Sequence, residues 1–141
     1  MAEFYFKDLV KKAGLEHEYE IASAATSTEE IGNPVYPNTR ELLARMGISC
    51  KGKTARQMTR GDYDYYDYIV AMDRENLWGL KRIVGEDTEG KISLLLDHTS
   101  PENRAYHNRD VADPWYTRDF EATFRDVEVG CKALLEEMGR G

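Results

Sequence analysis

Tyr68-Ile69-Val70-Ala71-Met72 is apolar at every position, and Asp73 follows it directly. A strand with one wet face alternates apolar and polar residues. A run without alternation is covered on both faces, which places it in a parallel sheet with helices above and below. Asp73 has the side chain to cap a helix over residues 74–84. Lys91-Ile92-Ser93-Leu94-Leu95-Leu96 reads as a second buried strand.

Working outward, the alternation continues on both sides. Residues 1–13 place Phe4, Phe6, Leu9 and Val10 mainly on one side at helical spacing, with Gly14 as the stop. Residues 18–24 lean towards a strand, residues 25–28 form a small polar loop, and residues 29–34 are rich in turn formers. Asn38 or Thr39 can cap a helix running to Met46, with Leu42, Leu43 and Met46 inward and Gly47 as its stop. Residues 48–55 contain a short extended piece, and Thr59 can cap a short helix over residues 60–65. Residues 97–111 form a long polar loop. The last helix covers residues 120–138, with Phe120, Phe124, Val127, Cys131, Leu134 and Leu135 inward. Strand and helix alternating in this way predict an open parallel α/β sheet with helices on both faces.

The chain has 141 residues, the length of one domain, with 41% hydrophobic and 32% charged residues and a net charge of −7. That charge argues against a general nucleic-acid surface or an anionic-membrane surface. No apolar run is long enough to span a bilayer, and no signal peptide opens the sequence. Cys50 and Cys131 are too few and too distant for a disulfide framework, so reduced thiols and a cytoplasmic location are expected.

In open α/β sheets ligands bind beyond the carboxyl ends of the strands. The stretch that follows the last strand is long, and in it lies Asp113-Pro114-Trp115-Tyr116. Pro114 pushes Asp113 out of the helical region, and Trp115 and Tyr116 can wall a pocket beside the carboxylate. An acid against aromatic walls is partly desolvated, which favours its protonated form and suits a general acid. A capped turn with two packed aromatics would use the same residues. His98, His107 and Asp110 have a metal-like composition, but no helical or strand spacing brings them together, so no metal and no cofactor are expected.

Several stretches resemble one family, in its order along the chain. They are Met1-Ala2-Glu3-Phe4, Ser23-Ala24-Ala25-Thr26-Ser27, Ile31-Gly32-Asn33-Pro34, Met46-Gly47-Ile48, Ala55-Arg56-Gln57, Tyr68-Ile69-Val70-Ala71-Met72-Asp73, Asn76-Leu77 and Asp113-Pro114-Trp115-Tyr116. The sequence resembles the low-molecular-weight protein tyrosine phosphatases. The resemblance implies a flavodoxin-like, four-stranded parallel sheet, no metal, and a phosphocysteine intermediate. It implies that Asp113 is the general acid and base, that Trp115 and Tyr116 flank a phosphotyrosine or aryl phosphate ring, and that Glu29 and Glu30 stand at the rim. An acidic rim would favour basic flanking residues in a substrate.

The family's pattern also includes a first strand and a Cys-x5-Arg-Ser/Thr-Pro phosphate loop, and residues 1–141 contain neither. The expectation is a single domain truncated at its N-terminus and inactive by itself, because a dianion needs clustered N–H donors and a bidentate guanidinium. Cys50 and Arg56 have the right spacing, but Gln57 stands where a hydroxyl is needed. Cys131, at a helical core position, reads as a small buried apolar residue. The alternatives are a catalytically dead binding protein and an arsenate reductase-like module of the same fold. Self-association through the gap left by the first strand is a further expectation.

Overall fold

The computed structural model describes residues 2–15, 17–24, 26, 41, 43–45, 47, 48, 56–112 and 119–140. At its centre β1 (Ile69–Ala71) and β2 (Ile92–Leu94) pair in parallel, with Ile69 opposite Ile92, Val70 opposite Ser93 and Ala71 opposite Leu94. Successive side chains of a strand point to opposite faces. Ile69, Ala71 and Leu94 therefore enter one core, with Met58, Tyr63, Leu80 and Val84, while Val70 packs against the other. The apolar run is covered on both faces, as its lack of alternation requires.

The first core face is built by α2 (Arg60–Tyr65) and α3 (Arg74–Val84). Thr59 and Asp62 form a reciprocal capping box at the start of α2. Asp73 caps α3 by accepting the Asn76 N–H at 2.8 Å, and Gly85 ends it at φ 77°, where its N–H reaches the Lys81 carbonyl. The turn into β2 is organised by Asp87. Its carboxylate accepts the Tyr63 hydroxyl at 2.6 Å, the Lys91 N–H at 2.8 Å and the Ile92 N–H at 3.0 Å.

The opposite face is covered by α1 (Ala2–Lys12) and α4 (Phe120–Arg140), which pack on each other, and α4 also packs on a 3₁₀ turn, Leu95–His98. The buried stripe of α1 is Tyr5, Phe6 and Val10, with Phe4 and Leu9 only half-buried. The sequence reading did not include Tyr5. Its ring meets Phe124 edge-on at 5.3 Å, and burial, reinforced by the Glu128 carboxylate, pushes its hydroxyl up to about 12. α4 begins where expected and runs two residues past Met138.

Two expectations fail here. The second strand stops at Leu94 instead of Leu96. Leu95 and Leu96 are both fully buried in the same core. Adjacent strand residues cannot both do this, whereas a helical turn places them side by side. Residues 18–24 carry no strand, although their composition leans that way. A strand exists only where a neighbouring ladder takes its backbone groups, and among the described residues none lies against this stretch. Tyr19 and Ile21 serve the α1/α4 core as side chains instead. The extended piece expected at residues 48–55 lies almost wholly outside the described residues. Of the helix expected up to Met46, Glu41 and Leu43–Arg45 are described, and they are helical.

Candidate active site

The carboxyl end of β1 runs into Met72, and both backbone groups of Met72 are held. Its N–H donates to Asn76 Oδ1 at 3.2 Å, and its carbonyl accepts the Val111 N–H at 2.8 Å. Strand end, helix start and the long polar loop thus converge on one residue.

The loop is clamped on two sides. On the α3 side, Asp110 Oδ1 accepts the Arg74 backbone N–H at 3.2 Å and its guanidinium at 2.8 Å, and the Asn108 carbonyl accepts a further Arg74 N–H at 3.3 Å. Asn108 takes φ 58°, a left-handed conformation that asparagine tolerates and that turns the chain towards Arg74. On the α4 side, Arg109 pairs bidentately with Asp126 at 2.6 and 3.0 Å. That hydrogen-bonded pairing raises the Arg109 guanidinium above its ordinary range. The Asp126 carboxylate also accepts the Ala112 N–H at 2.9 Å, and the Thr123 hydroxyl donates to the Ala112 carbonyl at 2.6 Å. Both peptide groups flanking Ala112 are therefore fixed by α4, one residue before Asp113. Asp119 caps α4 by accepting the Ala122 N–H at 2.9 Å. Ala112 and Asp119, the residues on either side of the 113–118 stretch, both lie at the N-terminal turn of α4.

Beside β1 lies a cavity of about 760 Å³. Residues 69–71 and 21–24 line it, with Phe6, Leu95 and Cys131 also in its wall. Glu3, in the first turn of α1, also lines it and is buried. Its carboxylate accepts the Ser23 hydroxyl at 2.6 Å and is paired with Lys7 at 2.6 Å. A carboxylate at a helix N-terminus is favoured by the helix dipole.

Of the residues picked from the sequence, Asp113, Trp115, Tyr116, Glu29, Glu30 and Cys50 lie outside the described residues. Arg56 is described, and it is engaged: it pairs bidentately with Asp62 at 2.9 and 3.2 Å, a bond that raises the Arg56 guanidinium above its ordinary range and holds the Asp62 carboxyl below its own, so both charged forms are favoured. Its guanidinium is thus part of the α2 capping box. Cys131 is 1% exposed in the α1/α4 core, and burial pushes its thiol up to about 12, the opposite of an activated nucleophile. His98, His107 and Asp110 are not brought together. His98 bonds Ser93 and Glu137, His107 bonds the Thr99 carbonyl, and Asp110 bonds Arg74. Among the described residues no three His, Cys, Asp or Glu side chains converge to hold a metal ion.

Sequence reading missed Arg109, Thr123 and Asp126. A signal for the last two existed. Thr123 and Asp126 are polar residues spaced by three on the inward side of an otherwise apolar helix face, and such residues need a partner when buried.

A parallel sheet with helices on both faces, and a clamped loop beyond the carboxyl end of a strand, define a flavodoxin-like α/β domain with its ligand site at the strand ends. Residues 1–141 match the model of the low molecular weight phosphotyrosine protein phosphatase family along their whole length. The low molecular weight protein-tyrosine-phosphatase YfkJ of Bacillus subtilis is 42% identical over 135 residues, covering 96% of this chain and 84% of that protein. The low molecular weight phosphotyrosine protein phosphatase of Gallus gallus is 37% identical over 141 residues, covering 97% of this chain and 85% of that protein. The crystal structure of YfkJ superposes with a TM-score of 0.90 at 39% identity, over 99% of this chain and 85% of that one. The low molecular weight protein tyrosine phosphatase of Streptococcus pyogenes superposes with a TM-score of 0.80 at 34% identity, over 96% of this chain and 81% of that one. The chain belongs to the low molecular weight phosphotyrosine protein phosphatase family.

Proposed function

We propose that residues 1–141 are the acid-bearing part of a protein tyrosine phosphatase, and that they do not hydrolyse phosphate esters without a Cys-x5-Arg loop. The observation that carries this reading is the clamp on Ala112. Thr123 and Asp126 hold both of its backbone groups at the carboxyl end of the sheet, directly before the Asp113-Pro114-Trp115-Tyr116 stretch. A general acid contributes only when it is held within hydrogen-bond reach of the leaving group.

In the proposed mechanism a cysteine thiolate of the loop attacks phosphorus in line, and the loop arginine and amides bind the equatorial oxygens. Asp113 protonates the departing tyrosine oxygen and then takes a proton from the water that hydrolyses phosphocysteine. Trp115 and Tyr116 flank the substrate ring, and Glu29 and Glu30 face basic residues beside the phosphotyrosine. Within residues 1–141 the one Cys-x5-Arg spacing ends on Arg56, which is committed to Asp62. We place the catalytic loop, with its strand, in the cavity beside β1. Without that strand a second copy of the chain is the alternative occupant, so self-association is part of the proposal, as is a cytoplasmic setting that keeps both thiols reduced. A catalytically dead binding protein is the second reading, favoured by the engagement of Arg56 with Asp62.

The test compares residues 1–141 with the same residues preceded by a strand and Cys-x5-Arg-Ser-Pro, on para-nitrophenyl phosphate, with Cys50→Ser in each. The short chain is expected to show background rates and the longer one vanadate-sensitive turnover, since vanadate mimics five-coordinate phosphorus. Asp113→Asn in the longer protein should lower the rate by about 10²–10⁴ on substrates with poor leaving groups. Turnover by the short chain that Cys50→Ser abolishes would make Cys50 the nucleophile and reject this reading. A longer protein that binds vanadate yet stays inactive would favour the binding-protein reading.

A further inference from the structure

Ser93, His98 and Glu137 form a connected chain of hydrogen bonds that the phosphatase chemistry does not use. Ser93 sits in β2, and the 3₁₀ turn that follows brings His98 back over it, with Ser93 Oγ 2.7 Å from His98 Nε2. On its other side the ring meets the Glu137 carboxylate of α4 through Nδ1. Neither Ser93 nor His98 is among the residues lining the cavity beside β1.

The proton positions follow from the partners. An ionised carboxylate only accepts, so a neutral His98 carries its proton on Nδ1 and donates it to Glu137. Nε2 is then an acceptor, and the Ser93 hydroxyl donates to it. A hydroxyl on a ring nitrogen, with the ring turned by a carboxylate, is the arrangement that activates a serine oxygen. The His98 side chain is only 10% exposed, which fixes the ring, while Ser93 stays partly open to solvent.

We propose that Ser93 is an activated nucleophile that takes an acyl group from small uncharged esters, with His98 as its base and Glu137 as the positioning residue. Ser93 Oγ bonds to the carbonyl carbon while its proton passes to His98 Nε2. The tetrahedral adduct breaks the bond to the leaving oxygen, which departs as the alkoxide or phenolate, and His98 gives its proton to that oxygen or to solvent, returning to the neutral ring. Water, deprotonated by His98, then attacks the acyl-serine, releasing carboxylic acid and restoring the serine hydroxyl.

The test treats the 141-residue chain with para-nitrophenyl acetate, follows nitrophenolate release, and maps the acetyl group by peptide mass spectrometry. Acetylation of Ser93 is expected, absent in Ser93→Ala, slowed about a hundredfold or more in His98→Gln and about tenfold or more in Glu137→Gln. Glu137 lies on the exposed side of α4, so Glu137→Gln keeps the test usable if His98→Gln fails to fold. No acetyl group on Ser93, or equal acetylation in the native chain and Glu137→Gln, would overturn the proposal.

Discussion

Arg109→Met and Asp126→Asn break the same ion pair, yet their costs should differ. Asp126 is 4% exposed, whereas the Arg109 side chain is 41% exposed. In Asp126→Asn the guanidinium turns to water, and the amide oxygen still accepts the Ala112 N–H. The loss is the charge-assisted bidentate bond, about 1.5–2 kcal/mol at a half-exposed partner. In Arg109→Met the buried carboxylate keeps only the Ala112 N–H and has no cation. Stranding a buried charge costs about 3 kcal/mol or more. The double variant has no stranded charge, so it should fall short of the sum of the single variants by more than about 1 kcal/mol. Urea unfolding followed by circular dichroism yields each value from midpoint and slope. Equal costs, a reversed order or simple additivity would refute the reasoning that Asp126 is the buried partner.

Three more predictions rest on other parts of the fold. A Cβ at Gly130 would stand 2.5 Å from Leu95 Cγ, and Leu95 is 1% exposed and cannot retreat. Gly130→Ala should therefore lose about 1 kcal/mol despite alanine's better helix propensity, and should gain stability in a Leu95→Ala background; a gain in the native background would contradict this. Burial pushes the Asp87 carboxyl up, but hydrogen bonds led by the Tyr63 hydroxyl hold it below its usual range. A lowered folded value adds stability that is complete above the unfolded range, about pH 4, and is lost as pH falls through the folded value. The stability gap between the native chain and Asp87→Asn should narrow below about pH 4, and an unchanged gap in urea titrations at pH 7 and pH 3 would count against it. Cys131, buried with its thiol pushed up, should resist iodoacetamide until the chain unfolds. Carbamidomethyl-Cys131 in peptides from folded protein would show that the core opens.

The sequence by itself determined the local elements. The unbroken apolar run at residues 69–71 required cover on both faces, and the two cores on either side of β1 supply it. Thr59 and Asp73 cap helices because capping depends on neighbours a few residues away, which sequence order displays. The family was legible too, because its motifs are short local strings. Tertiary structure decided where β2 stops, since only the α1/α4 core explains why Leu95 and Leu96 are buried side by side. It likewise decided the clamp on Ala112, where Arg109 and Asp126 are seventeen residues apart, and the Ser93–His98–Glu137 chain, whose outer members belong to different elements. Partners that distant leave no spacing in the sequence, because the fold and not the local chain sets the distance between them.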